Sequence, residues 1–206
     1  MEYLPLFGSV LIIHLMAVMS PGPDFIMALR NSLTYSRKTG IYTAIGFGIG
    51  IGVHVLYCVF GLALIIQSSP LIFNIIKYLG VAYLGYIGVM SIISKTSNIE
   101  VGKQEHLNDI SPLKAIRIGF LTNVLNPKAT LFFLSLFTFV IGPNVPTFIA
   151  LILGGLMMLN TAIWFSLVAV FFTQAKIRTL FNQYQKTFNV IFGLLLIAIA
   201  IKILFT

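Results

Sequence analysis

The chain has 206 residues, of which 58% are hydrophobic and 9% charged, with a formal net charge of +8. A soluble domain of this size carries about 25% charged residues, so composition all but excludes a water-soluble enzyme, a nucleic-acid-binding module and a disordered chain. The excess of thirteen Lys and Arg over five Asp and Glu is better explained by bases retained on one side of a membrane.

Cys58 is the only cysteine, so neither an intrachain disulfide nor a CxxC pair nor a zinc cluster can form. A spanning helix needs about 20 mostly apolar residues, and six runs qualify in chain order. They are Leu4–Val18 extended through Leu29, Gly40–Ile66, Leu71–Ile93, Ala115–Ile141, Thr147–Phe172 and Phe188–Phe205. The runs are continuous rather than alternating, and too long for barrel strands of about ten residues. The expected fold is therefore an all-α polytopic membrane protein. No basic region precedes the first run, and the prolines of Ser20-Pro21-Gly22-Pro23 make a poor cleavage site, so this run is read as retained.

Within the first run, Ser20-Pro21-Gly22-Pro23-Asp24 breaks the helix, because proline lacks the amide donor and clashes with the preceding turn. A second break, Asn123-Val124-Leu125-Asn126-Pro127-Lys128, interrupts the fourth run. Broken backbone at membrane depth survives only when buried in protein or facing a wet cavity. Each break frees carbonyls on one half-helix and N–H groups on the other. The N–H end suits a carboxylate and the carbonyl end an ammonium group. Two inverted breaks facing each other would form a small bipolar cage fitted to a zwitterion.

Asp24 and Lys128 are the charges nearest the breaks. A charge inside the bilayer costs at least ~2.5–3.5 kcal/mol on insertion scales and needs a partner or water. Asp24 can bind a substrate ammonium or carry a coupling proton. Lys128 can meet a carboxylate, or pair with Asp24 when the site is empty. Either can instead lie at the headgroup boundary. His14 and His54 sit inside apolar spans. Each is either a proton relay, since imidazole titrates near neutrality, or a neutral ring bonded to a carbonyl. Asn123, Asn126 and Asn160 line a polar path or join helices. Gly46/Gly50 and Gly48/Gly52 are small-xxx-small pairs for close helix packing, a reading extended to Gly80, Gly85, Gly88, Gly154 and Gly155.

Two of the connections are short and uncharged: Gln67-Ser68-Ser69-Pro70 and Gly142-Pro143-Asn144-Val145-Pro146. Three carry bases: Arg30, Arg37 and Lys38; Lys95, Lys103 and Lys114, with Arg117 just beyond; and Lys176, Arg178 and Lys186. With six helices these three share a face. The positive-inside rule puts that face in the cytoplasm and both termini outside. Lys77 and Lys202 lie toward the other face and can snorkel. The middle linker, with Glu100, Glu105, His106 and Asp109, reads as a solvated connector, and Ser111-Pro112 as the start of the fourth helix.

Sliding the chain by about 106 positions sets Ser20-Pro21 on Asn126-Pro127, Gly48 on Gly154 and His54 on Asn160; a shift of about 108 sets Gly85 on Gly193. Three helices per half reverse the second half across the membrane. The expected organisation is two inverted three-helix repeats, residues 1–94 and 115–206, joined by a cytoplasmic linker at 95–114, with helices 1 and 4 broken at proline. This is a secondary-transporter architecture.

The stretches Ser20-Pro21-Gly22-Pro23-Asp24-Phe25, Arg37-Lys38-Thr39-Gly40, Gly46-Phe47-Gly48 and His54, with Gly119-Phe120-Leu121-Thr122-Asn123 and Asn126-Pro127-Lys128-Ala129, resemble the lysine exporter superfamily, in its homoserine/threonine resistance branch (LysE/RhtB-type amino-acid exporters). The likeness covers nearly the whole chain. It implies export of amino acids or close relatives across the bacterial inner membrane, driven by the proton gradient. The matching motif residues are Pro21, Gly22, Pro23, Asp24, Asn126, Pro127 and Lys128. Asp24 is the lone acid in the spans, so neutral amino acids are favoured over lysine. The expected partners are that substrate, protons and lipid, with no nucleic acid and no cofactor; a homo-oligomer is open. The alternatives are a carrier or channel for another solute or ion. A redox carrier lacks a second cysteine, a metal path lacks clustered ligands, and no nucleophile–base pair points to an enzyme.

Overall fold

The computed structural model describes residues 3–61, 70–93, 107–142 and 144–205, and these contain helices and connections but no strand. Among these described residues eight α-helices run in chain order: α1 (Leu4–Met19), α2 (Pro23–Thr34), α3 (Arg37–Leu56), α4 (Pro70–Ile93), α5 (Pro112–Val124), α6 (Pro127–Ser135), α7 (Thr147–Phe171) and α8 (Ala175–Leu204). Helix α3 continues into a π-helical turn, Tyr57–Gly61, and α6 into another, Leu136–Ile141. The expected polar stretches at Gln67-Ser68-Ser69 and at 95–106, with Lys95, Glu100, Lys103, Glu105 and His106, lie outside the described residues, as does Pro143.

Both expected breaks are present. Helices α1 and α2 meet at 59° across the Ser20–Gly22 break. Helices α5 and α6 part at Leu125-Asn126. In α2 and α6 the proline sits at the start of the second half-helix, where its missing N–H has no intrahelical partner to lose and its φ is already helical. Ser111 caps α5 and accepts from the Lys114 amide at 3.4 Å, with Pro112 next in the chain, so the helix begins within the stretch assigned to the linker.

The start of the last helix also differs from the sequence reading. The last helix starts at Ala175, not near Phe188. Ile177, Phe181, Gln185, Phe188 and Phe192 recur at helical spacing on its inner face, while Lys176, Arg178 and Lys186 occupy other faces. An amphipathic turn of this kind lowers mean hydropathy without ending the helix. Asp109 is exposed, as expected of a solvated connector, and also accepts from Ser36 Oγ at 2.9 Å and Thr39 Oγ1 at 3.0 Å. It thereby adds negative charge at the N-terminus of α3, which Ser36 caps.

Helix α3 is the central element, packed against α5 on one side and α7 on the other. Its glycines divide between those neighbours. A Cβ at Gly46 would lie 2.1 Å from Ile116 O of α5, and one at Gly48 would lie 2.8 Å from Met158 O of α7. On the facing helix, a Cβ at Gly119 would lie 2.0 Å from Thr43 O. Helices α4 and α8 form a second pair, crossing where Gly88 and Gly193 each face the other's carbonyl oxygen. Gly88 is thus the packing partner of Gly193. Gly85 and Gly155 face open space and do not serve close packing.

The distribution of polarity is inverted relative to a soluble protein. His14, Asp24, Asn31, His54, Asn123 and Asn126 are buried, while Leu4, Ile12, Leu79, Leu113, Ile163 and Leu194 are exposed. Among the described residues three helical runs, Arg37–Gly61, Thr147–Phe171 and Lys176–Lys202, are long and apolar enough to cross a membrane, and the bent α1–α2 pair, taken as one span, adds a fourth. Tyr78–Ile93 is a shorter apolar stretch. Half-helices α5 and α6, at 13 and 9 residues, are each too short to span alone. The chain is an all-α, multi-pass membrane protein.

The described parts of the three basic connections gather at one end. Leu107 N donates to Thr34 O at 2.8 Å, and Arg37 Nε donates to Thr173 Oγ1 at 3.1 Å. Arg178 Nη1 donates to Phe172 O and Thr173 O, covering the freed carbonyls at the end of α7. Above this end lies an aromatic cluster in which Phe25 stacks on Phe181 at 5.3 Å and meets Phe172 edge-on at 5.3 Å.

Candidate functional site

The two breaks converge. Asp24 lies in the first turn of α2, next to the positive end of that half-helix. Its Oδ2 accepts from Asn123 Nδ2 at 2.8 Å and its Oδ1 from Asn126 Nδ2 at 3.1 Å. Asn126 caps α6 through its other amide atom, Oδ1, which accepts from the Lys128 backbone N–H at 3.0 Å. That cap fixes the amide orientation: the oxygen must face the backbone donor, so the NH2 group faces the carboxylate. One asparagine therefore joins the N-terminus of α6 to the acid at the N-terminus of α2.

Lys128 reaches the other way. Its Nζ donates to Ser20 O at 3.1 Å, at the carbonyl end of α1, where the partial charge is negative. Of the alternatives open in the sequence, a direct Lys128–Asp24 hydrogen bond is not the one formed: the amine holds a freed carbonyl, and both carboxylate oxygens are held by amides. Asn123, near the C-terminus of α5, holds two elements at once. Its side chain donates to Asp24, and its backbone oxygen faces His54 Nε2 of α3 at 3.1 Å.

Between these groups lies a cavity of about 40 Å³, room for water-sized groups only. Ser20, Gly22, Asp24, Asn123, Asn126 and Lys128 form its polar side. Ile51, Phe132, Phe133 and Phe165 form much of its apolar side. The arrangement offers a fixed anion, a cation with two uncommitted N–H donors, and a hydrocarbon wall. These groups are complementary in charge and polarity to a small molecule bearing both charges and an apolar body, for which the cavity would have to widen.

Of the residues singled out in the sequence, Gly22, Asp24, Asn123, Asn126, Lys128 and His14 line this cavity. Pro21, Pro23 and Pro127 do not; Pro23 and Pro127 are exposed, and they act by setting where each half-helix begins. His54 is buried behind Asn123 rather than on the cavity wall. His14 is fully buried, with Nε2 3.5 Å from Thr161 Oγ1 and no partner for Nδ1. The two imidazoles flank one ring: His54 stacks on Phe133 at 5.5 Å and His14 meets it edge-on at 5.6 Å. Asn160 Nδ2 donates to Leu11 O at 3.4 Å and so joins α7 to α1. No group of three or more His, Cys, Asp or Glu able to hold a metal ion occurs among the described residues.

The sequence reading missed the aromatic wall, since Phe132, Phe133 and Phe165 are indistinguishable in sequence from lipid-facing phenylalanines. It also missed Tyr57. The Tyr57 hydroxyl lies 2.9 Å from His54 Nδ1 and 3.3 Å from Thr130 O. The signal lay in the spacing of three from His54, which on a helix puts the two side chains on one face.

Comparison with known proteins places the chain in a transporter family. The family model described as LysE type translocator matches residues 15–206. The chain is 30% identical over 217 residues to the uncharacterized membrane protein YrhP of Bacillus subtilis, covering 98% of this chain and 96% of the relative. It is 30% identical over 184 residues to a threonine efflux protein of Salmonella typhi, and 29% identical over 184 residues to one of Escherichia coli K12, with 89% of each chain covered in both cases. No solved structure matches.

Proposed function

The chain belongs to the LysE-type translocator family, a family of membrane transporters, and from that membership we propose that it exports small neutral amino acids or their derivatives by proton antiport with alternating access. The observation that carries this reading is the meeting of Asp24 and Lys128, one from each broken helix, on a single cavity with an apolar opposite wall. In a widened form of this cavity a zwitterion would place its ammonium toward Asp24, its carboxylate toward Lys128 and its side chain toward Phe132, Phe133 and Ile51. A lysine-like substrate would bring a second cation, for which the cavity offers no second acid. The efflux of threonine named for two relatives is consistent with a neutral substrate.

The same reading supplies the architecture. Six spans in two inverted repeats fit the contact pattern, in which α3 meets α7 and α4 meets α8 across the halves. It also fits the way each half reaches into the other: His54 to Asn123 O, and Asn160 to Leu11 O. The basic end faces the cytoplasm of a bacterial inner membrane, and both termini face outward. Asn123 lies about 16 Å along α5 from Pro112 at 1.5 Å per residue, near the middle of a ~30 Å hydrocarbon layer. Asp24 carries the coupling proton, with His54 and His14 as the groups able to pass it on. The contracted cavity must widen to admit a substrate, which the proline breaks permit by letting half-helices tilt separately.

Counterflow in proteoliposomes against a panel of labelled amino acids, with and without a pH gradient, tests this. The expected result is exchange of neutral amino acids, stimulated when the gradient is imposed. Asp24→Asn is expected to insert normally and to lose gradient-driven transport by at least about tenfold, the equivalent of one charge-assisted hydrogen bond. Full gradient-driven transport in that variant would remove Asp24 from the mechanism.

A further inference from the structure

The three hydrogen bonds around His54 can all be made at once only when the ring is charged. Nε2 faces a backbone carbonyl oxygen, Asn123 O at 3.1 Å. A carbonyl only accepts, so Nε2 must carry a hydrogen. In the neutral ring Nδ1 is then a bare acceptor, and its neighbour, the Tyr57 hydroxyl at 2.9 Å, must donate to it. That hydroxyl has one hydrogen, yet it also lies 3.3 Å from Thr130 O, a second acceptor. When His54 is charged, Nδ1 donates, and the hydroxyl is released to donate to Thr130 O. We infer that the Tyr57 hydroxyl is a two-position switch that reports the charge of His54 to helix α6: toward His54 Nδ1 when the ring is neutral, toward Thr130 O when it is charged. This rests on the proton-antiport reading above and adds to it a positioning residue and a direction of transmission.

The local fold supports the switch. Tyr57 opens the π-helical turn that follows α3, an irregularity that commonly marks functional positions. Thr130 lies two residues beyond Lys128 on α6, whose start is capped by Asn126. A change at the hydroxyl therefore acts on the same half-helix that carries the cavity cation. Around His54, the charged or titratable groups are Asp24 of α2, reached through Asn123, Lys128 of α6 across the cavity, and His14 of α1 beyond the Phe133 ring. From its own segment, Tyr57 and the buried Cys58 are present. Phe133 separates the two imidazoles, so His14 has no direct bond to this network.

The test compares Tyr57→Phe with the unaltered protein in proteoliposomes. Phenylalanine keeps the ring that meets His54 edge-on at 5.5 Å and removes only the hydroxyl. Two assays are run with the same labelled amino acid: counterflow at symmetric pH and accumulation driven by a pH gradient. The expected result is counterflow within about twofold of the unaltered protein and gradient-driven accumulation reduced roughly tenfold, since a charged imidazole loses its acceptor. Unchanged accumulation would overturn the switch. So would equal loss of both activities in normally inserted protein, because it would assign Tyr57 to substrate handling or folding. If the unaltered protein exchanges none of the amino acids, the transport reading fails instead, and the two failures are distinct. NMR of the ¹⁵N-histidine-labelled protein, with the His54 signal assigned through His54→Gln, gives a second reading that needs no Tyr57 variant to fold. Neutral His54 is expected as the Nε2–H form; the Nδ1–H form would overturn the inference.

Discussion

Asn126 shows how much one side chain does at this site. Its amide oxygen satisfies the start of α6 and its amide nitrogen holds the buried carboxylate of Asp24. Two substitutions separate these roles. Asn126→Ala removes both and is expected to cost about 1 kcal/mol of stability from the lost cap, together with transport. Asn126→Ser restores the cap but is too short to hold Asp24, so stability in detergent should return while transport does not. Recovery of transport by serine would mean that only the cap matters. Charged and amide residues near the prolines stood out in the sequence because such residues are scarce in apolar spans. The partners they choose did not: Lys128 bonding Ser20 O rather than Asp24 is decided by the meeting angle of two half-helices. Sequence spacing cannot supply that angle.

At the scale of elements, the helix breaks were legible because proline imposes them locally, and most helix ends fell close to where apolar runs stop. The π-helical turns were not, since each depends on how neighbouring helices press on the chain. The early start of α8 was hidden because its basic residues lower hydropathy while its inner face stays apolar. Glycines illustrate the same divide. All fit a small-residue stripe in sequence, yet only some lie at a helix crossing. Gly119→Ala would set a Cβ 2.0 Å from Thr43 O, backbone against backbone. Overpacking of this kind costs ~1–3 kcal/mol, expected as a Tm lower by roughly 2–4 °C per kcal/mol. Gly85→Ala meets nothing within 4 Å and should leave Tm equal or raise it, since alanine is the better helix former by about 1 kcal/mol. A melting series in detergent checks both, and equal effects would contradict the crossing of α3 and α5.

For the whole molecule, composition alone announced a membrane protein, and the three basic connections announced a common face. Thr34 O, Thr173 and Asp109 tie those connections together at one end. Cysteines placed in a Cys58→Ser background read the orientation. Asn108→Cys is expected to react with an impermeant maleimide only from the cytoplasmic side, and Asn144→Cys only from outside; the reverse pattern would invert the direction assigned to export.

The claim on which the rest depends is that the cavity between the two broken helices is where substrate sits. Ala129 lines that cavity and is buried, so Ala129→Cys in the Cys58→Ser background places a reporter at the site. With the amino acid that counterflow identifies as transported, alkylation by a small permeant maleimide should slow at least fivefold at saturation, with half-protection at the KM for transport; an amino acid that is not transported should have no effect. Alkylation at the same rate with and without saturating transported substrate would contradict the account.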